Sequence, residues 1–181
     1  FPVYTWTLGG EGTSGNPYRV VTAADLGKVW LRPTAHYRLV GSLDLSGIEW
    51  SSAVVPSFSG VFDGDGFVIS NLTINQPTVD YMGLFGCVNS GGQINNLGVY
   101  VTITGRYNVG GLAGRNEGSI TTCYATGRVI GTGCVGGLAG SNNGFITSCY
   151  ATGTVKGMGH EVGGLVGSNY YGSITSCYAT G

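Results

Sequence analysis

Apolar positions along this chain recur in columns rather than in the three- or four-residue rhythm of a helix. Val109-Gly-Gly-Leu-Ala-Gly returns at Val135 and, with Val for Ala, at Val162. Each copy runs through an Asn and Gly turn into Ser-Ile-Thr-Thr-Cys-Tyr-Ala-Thr-Gly or a near variant. Two more divergent copies lie upstream. Gly83-Leu84-Phe85-Gly86 leads to Ile94 and Val99, and Gly60-Val61-Phe62-Asp63 leads to Ile69 and Ile74. Superposing the copies gives five columns that stay apolar or small: Val61/Leu84/Leu112/Leu138/Leu165, Phe62/Phe85/Ala113/Ala139/Val166, Ile69/Ile94/Ile120/Ile146/Ile174, Leu72/Leu97/Cys123/Cys149/Cys177 and Ile74/Val99/Ala125/Ala151/Ala179. Such columns face a core, and the polar or glycine positions between them face outward or turn the chain.

A unit of about 26 residues, cut by Gly and Asn, holds two or three short strands and no helix of ordinary length. One unit cannot bury its own apolar face, so units stack as rungs roughly 4.8 Å apart. The pattern therefore predicts an all-β chain, a parallel β-solenoid, right-handed by the chirality of parallel crossovers. A propeller blade needs around 40 residues. The repeats are read as 58–80, 81–106, 107–133, 134–159 and 160–181, after an N-terminal segment, 1–57, that differs in character. That segment holds all three Trp and a capping-box sequence, Thr22-Ala-Ala-Asp25, ahead of Leu26, Val29 and Trp30. These residues predict a short helix over Ala23 to Trp30 that caps the solenoid, with first rungs at Tyr37 to Val40 and Ser42 to Leu45. A cap is needed because an open terminal rung invites edge pairing. The last repeat stops mid-unit at Gly181, so a longer natural chain or another covering element is expected there.

Composition narrows the function. Charged residues are only 9% of the 181, the net charge is -1, and no basic patch suggests a nucleic-acid partner. No apolar run reaches the eighteen or so residues of a membrane span. Glycine, at 35 residues, lacks the every-third spacing of collagen and signals tight turns or close backbones.

The repeated units resemble the GLUG motif of bacterial surface proteins, in Val-Gly-Gly-Leu-Ala-Gly followed by Asn and Ile-Thr-Ser-Cys-Tyr-Ala-Thr-Gly. Gly60 to Ile74 and Asn16 to Leu26 resemble segments that often precede it. The resemblance implies a secreted or surface-anchored protein with adhesin-like or structural duties. Such motifs sometimes accompany a peptidase, but the repeats are not its catalytic part. They carry no catalytic residues to transfer, and the His-Glu-x-x-His signature is absent.

Several residues bear chemistry. Cys123, Cys149 and Cys177 share an inward column and read as small buried apolar groups. Adjacent rungs also lie within disulfide reach for 123–149, and metal binding is the weakest reading because no His or carboxylate joins them. Cys87 and Cys134 fall elsewhere and carry no assigned role. Tyr124, Tyr150 and Tyr178 alternate with inward residues and so stack outside, as cross-rung support or as a contact strip for sugars or another subunit. Asn116, Asn142 and Asn169 are expected to hydrogen-bond along the stack or to hold left-handed turns. Asp63 and Asp65 form the closest carboxylate pair but lack the oxygens of a calcium loop and the opposed geometry of a glycosidase. His36 and His160 belong to no triad and read as surface or turn residues, and Asn71-Leu-Thr73 is a formal glycosylation sequon.

These observations lead to a non-catalytic extracellular structural or adhesive protein, not an enzyme, with no cofactor or metal. Its expected partners are copies of itself stacked head to tail, or other surface proteins. In the stacking reading Tyr4, Trp6 and Leu8 form one side of a donated strand. Glycan binding on the tyrosine ladder is the alternative. A β-helical polysaccharide-degrading enzyme is disfavoured by the shortage of carboxylates.

Overall fold

Residues that share a column become stacked neighbours in space. In the computed structural model, which describes residues 8–181, Ile94, Ile120, Ile146 and Ile174 lie in parallel register on one sheet. The chain is an all-β parallel solenoid of about 6 turns with one short N-terminal helix. A typical turn has four strands, Tyr107–Gly110, Ala113–Asn116, Ser119–Thr121 and Tyr124–Gly131. Repeated turn by turn, these strands build sheets of three, five, seven and six members. The seven-stranded sheet stacks Tyr18, Tyr37, Phe62, Ile94, Ile120, Ile146 and Ile174, at spacings of 19, 25, 32, 26, 26 and 28 residues.

The interior narrows along the axis. Near the N-terminus it is filled by Tyr37, Phe58, Phe62 and Phe85, whose rings pack at tilted or edge angles except for the stacked pair Tyr37 and Phe62. Beyond Phe85 the same column continues as Ala113 and Ala139, both fully buried. The later turns thus fill this column with smaller side chains.

One corner recurs in every late turn. Asn96, Thr122, Ser148 and Ser176 take φ of 53°, 53°, 54° and 55°, a left-handed conformation uncommon for residues other than glycine. Backbone bonds to the next turn hold it: Asn96 N–H donates to Thr121 O, Thr122 N–H to Thr147 O and Ser148 N–H to Thr175 O, at 3.0–3.1 Å. The corner turns the chain from the seven-stranded sheet onto the six-stranded one.

Two sequence expectations are corrected. The copy beginning at Gly60 is out of register with the others. Phe62 pairs with Ile94 rather than Phe85, Ile69 with Val99, Leu72 with Val101 and Ile74 with Ile103. The partner of Phe85 is Val55, in the strand Val55–Phe58. All these residues are nevertheless buried, because the misplaced copy was moved along the chain by a whole strand without changing which residues are apolar. The second correction concerns the cap. The α-helix is only Ala23–Leu26, followed by a 3-10 turn at Val29–Leu31. Thr22 and Asp25 form the expected capping box. Leu26 and Val29 are buried, but Trp30 is 53% exposed, since the break at Gly27 and Lys28 rotates it off their face. Upstream of the helix, Tyr18–Val20 already pairs with His36–Leu39, so the stack starts before it and the helix lies within the first turn. His36 opens that second strand rather than a surface turn.

Candidate functional site

The side chains with chemistry to offer are arranged as ladders along the axis. Two members of the asparagine ladder are fully enclosed: Asn116 and Asn142 have no exposed surface, while Asn169 is exposed. Asn116 Nδ2 donates to Asn142 Oδ1 at 2.7 Å, and Asn142 Nδ2 donates to Asn169 Oδ1 at 2.8 Å. The remaining capacity goes to local backbone. Gly118 N–H donates to Asn116 Oδ1, and Asn142 Nδ2 also reaches Gly144 O. A primary amide is the side chain that suits this position, because it donates to one neighbour while accepting from the other. None of the three asparagines is left-handed; in these turns the corner positions described above are.

The cysteine ladder uses sulfur in the same two-way manner. Each thiol donates to the carbonyl two residues earlier, Cys123 to Thr121 O and Cys149 to Thr147 O at 3.2 Å, and Cys177 to Thr175 O at 3.1 Å. Each sulfur also accepts a backbone N–H from the turn below, Cys149 Sγ from Cys123 and Cys177 Sγ from Cys149. All five cysteines are free thiols. Burial pushes the Cys123 thiol well above its ordinary range. Cys177 is only partly covered. A soluble alkylating reagent is therefore expected to modify Cys177 in the folded protein while Cys123 and Cys149 react only after denaturant is added. Peptide mass mapping reads this directly, and equal labelling of all three without denaturant would contradict the packing.

On the outer surface of the six-stranded sheet, the rings of Tyr124 and Tyr150 stack at 4.9 Å and 4°, and those of Tyr150 and Tyr178 at 5.1 Å and 5°. Tyr124 leans over Gly98, where even a methyl group would collide with its ring. Tyr100 packs against Tyr124 at 6.2 Å from a neighbouring register. Burial, and after it the Tyr100 hydroxyl, pushes the Tyr124 phenol up to about 12. The sequence pattern did not reveal Tyr100 as part of this cluster, because it lies two residues beyond the ladder's own column.

The carboxylates are held apart. Asp63 Oδ1 accepts from Asp65 N–H and from Asn96 Nδ2, while Asp65 is gripped by both Nε and Nη2 of Arg38. Arg106 clamps Asp80 in the same two-point manner. Among the described residues no three His, Cys, Asp or Glu side chains gather as a metal site, and no helix is long and apolar enough to cross a membrane. Cys134 lies beside Glu161, and burial followed by that carboxylate raises its thiol to about 11. Cys87 stands in register with Ser57 and Arg115. Tyr4 and Trp6 lie outside the described residues, whereas Leu8 is buried in this chain's own core.

The GLUG motif family matches residues 105–130, 131–156 and 158–181, which are the three turns that carry the ladders. These turns are GLUG repeats. Two relatives are similar to this chain over longer stretches. Halomucin of Haloquadratum walsbyi is 34% identical over 138 residues, 67% of this chain but 2% of that protein. A protein of Evansella cellulosilytica described as a Gly-rich membrane protein is 37% identical over 126 residues, 62% of this chain and 15% of its own length. This GLUG chain thus spans a small part of either relative. A crystal structure from Bacteroides ovatus, of a candidate immunoglobulin A1 protease, superposes with a TM-score of 0.65 over 94% of this chain and 77% of the other. Sequence identity there is 22%, so that likeness concerns the GLUG chain's fold alone.

Proposed function

We propose that this chain is a non-catalytic, extracellular structural module: a stiff stack of like turns, each of which receives the next on the same ladders. The observation that carries the reading is the repetition of these contacts from turn to turn: Asn116 to Asn142 to Asn169, Tyr124 to Tyr150 to Tyr178, and Ile94 to Ile120 to Ile146 to Ile174 in one register. Side chains used in this way are committed to neighbouring turns, and stability adds turn by turn. The printed name of one relative, a membrane protein, supports a location at the cell surface, and both relatives are far longer than this chain.

The commitment of Asp63, Asp65 and Asp80 to asparagine or arginine partners argues against a pair of working carboxylates. The tyrosine ladder supports stacking better than sugar binding. Its rings cover one another's faces and leave mainly edges for a ligand, while a pyranose packs on an open face.

The test is to append one more turn, a copy of residues 131–156, after Gly181. The expected result is a higher unfolding midpoint and slower amide exchange in residues 162–181. Filaments of the unextended chain under the electron microscope would also support the reading, with a second copy supplying the covering turn. An added turn that leaves midpoint and exchange unchanged, with no filaments, rejects it. Hydrolysis of a polysaccharide or of immunoglobulin A1 by the purified chain rejects the non-catalytic part.

A further inference from the structure

The sequon Asn71-Leu72-Thr73 occupies an unusual place in the stack. The strand Val68–Asn75 runs in register with its neighbour except at one point: Ile69 pairs with Val99 and Leu72 with Val101. Ser70 and Asn71 together therefore stand opposite the single residue Tyr100, which is a β-bulge. At the bulge Asn71 takes φ 58°, left-handed, and its side chain is exposed. One N–H of its amide donates to Asp44 Oδ1 at 2.8 Å, which fixes the side chain's direction and leaves the other hydrogen for substitution. Thr73 is exposed on the same surface.

Beside this asparagine lies an open groove of about 230 Å³ crossing three turns, lined by Asn71, Thr73, Tyr100, Thr102, Thr126 and Gly127, among others. It holds far more than a water molecule, whose share of liquid volume is about 30 Å³. Its hydroxyls are those of Thr73, Thr102, Thr126, which also bonds to Thr152 at 2.8 Å, and Tyr100, whose ring, 45% exposed, forms one wall. Hydroxyl groups around an aromatic wall suit a pyranose, whose C–H face packs on the ring while its oxygens bond to the threonines.

We infer that Asn71 is an N-glycosylation acceptor and that the groove beside Tyr100 seats the first sugar. The donor is a saccharide carried on a polyprenyl phosphate. Asn71 Nδ2 forms the bond to the anomeric carbon and loses one proton, and the bond from that carbon to the lipid phosphate breaks, with no change in oxidation state. The hydrogen left on Nδ2 keeps the bond to Asp44.

The experiment is to secrete the full chain from a cell that has an oligosaccharyltransferase and compare it with the same chain made without one. Secretion imposes exposure to the enzyme, so the result is independent of the proposed location and of end-on stacking. Intact mass should rise by one glycan, and Asn71→Gln and Thr73→Ala should each abolish the increase. The glycosylated chain should melt several degrees above the sugar-free one, and in Tyr100→Ala the sugar should remain while that gain disappears. A folded, secreted chain with no added mass at Asn71 overturns the acceptor. A thermal gain unchanged in Tyr100→Ala overturns the seat.

Discussion

Replacing Gly140 by alanine is expected to destabilise the protein by about 4 kcal/mol or more, the upper end of what single substitutions do. A Cβ at this position would lie 2.4 Å from Val109 N, 2.5 Å from the carbonyl carbon of Asn108 and 2.6 Å from Gly114 O. All three are backbone atoms of the turn below, so no side chain can rotate out of the way and the turns themselves must separate. The position recurs at Gly114 and Gly167, where the nearest atoms are again backbone at 2.4–2.8 Å. At this edge the solenoid closes backbone against backbone, with no side-chain layer between. Gly41, where a Cβ meets nothing within 4 Å, is the control. Gly41→Ala should be neutral or stabilising by up to about 1 kcal/mol, through the unfolded chain. Urea midpoints of the two variants decide the matter, and a Gly140→Ala midpoint equal to that of Gly41→Ala would refute the close approach.

That glycine edge shows where sequence reading reached and where it stopped. The columns Ile94/Ile120/Ile146/Ile174 and Val99/Ala125/Ala151/Ala179 could be read directly, because strict spacing and parallel register preserve residue identity from turn to turn. Glycine signalled close backbones, but not which glycines turn the chain and which are packed upon, since that depends on the width of the finished coil. The upstream register was lost for a related reason. Between Phe62 and Ile94 the chain spends 32 residues rather than 26, and the partner strand of Phe85 lies before Gly60, not after it. Val55-Pro-Ser-Phe58 was the available signal, two apolar residues spaced as in Phe85-Gly-Cys-Val88. The surroundings of Asn71 were equally hidden: its sequon is visible in sequence, but the bulge that sets it opposite Tyr100 arises only from pairing.

Replacing Asn142 by leucine is expected to destabilise by about 2 kcal/mol, because it leaves a buried amide N–H without a partner. It belongs to Asn116, which loses its 2.7 Å acceptor, although Phe145 O at 3.2 Å still serves the other hydrogen. Gly144 O loses the Asn142 amide but keeps the N–H of Ser173 at 2.8 Å. Asn169 is exposed, so water replaces its share, and Asn169→Ala should cost under about 1 kcal/mol. Asn142→Asp separates hydrogen bonding from packing. It keeps the shape and the acceptor for Asn116 but loses the donor, and burial raises its carboxyl above the unfolded value. A group with a raised folded pKa favours the fold fully below its unfolded pKa, near 4, and loses that contribution as pH rises through the folded pKa. Asn142→Asp should therefore lie close to the parent protein in acid and fall away steadily toward neutral pH, while Asn142→Leu stays equally destabilised throughout. Denaturant midpoints across that range distinguish a ladder sustained by two-way hydrogen bonding from one that merely fills space, in which case the aspartate variant would show no pH dependence beyond that of the parent.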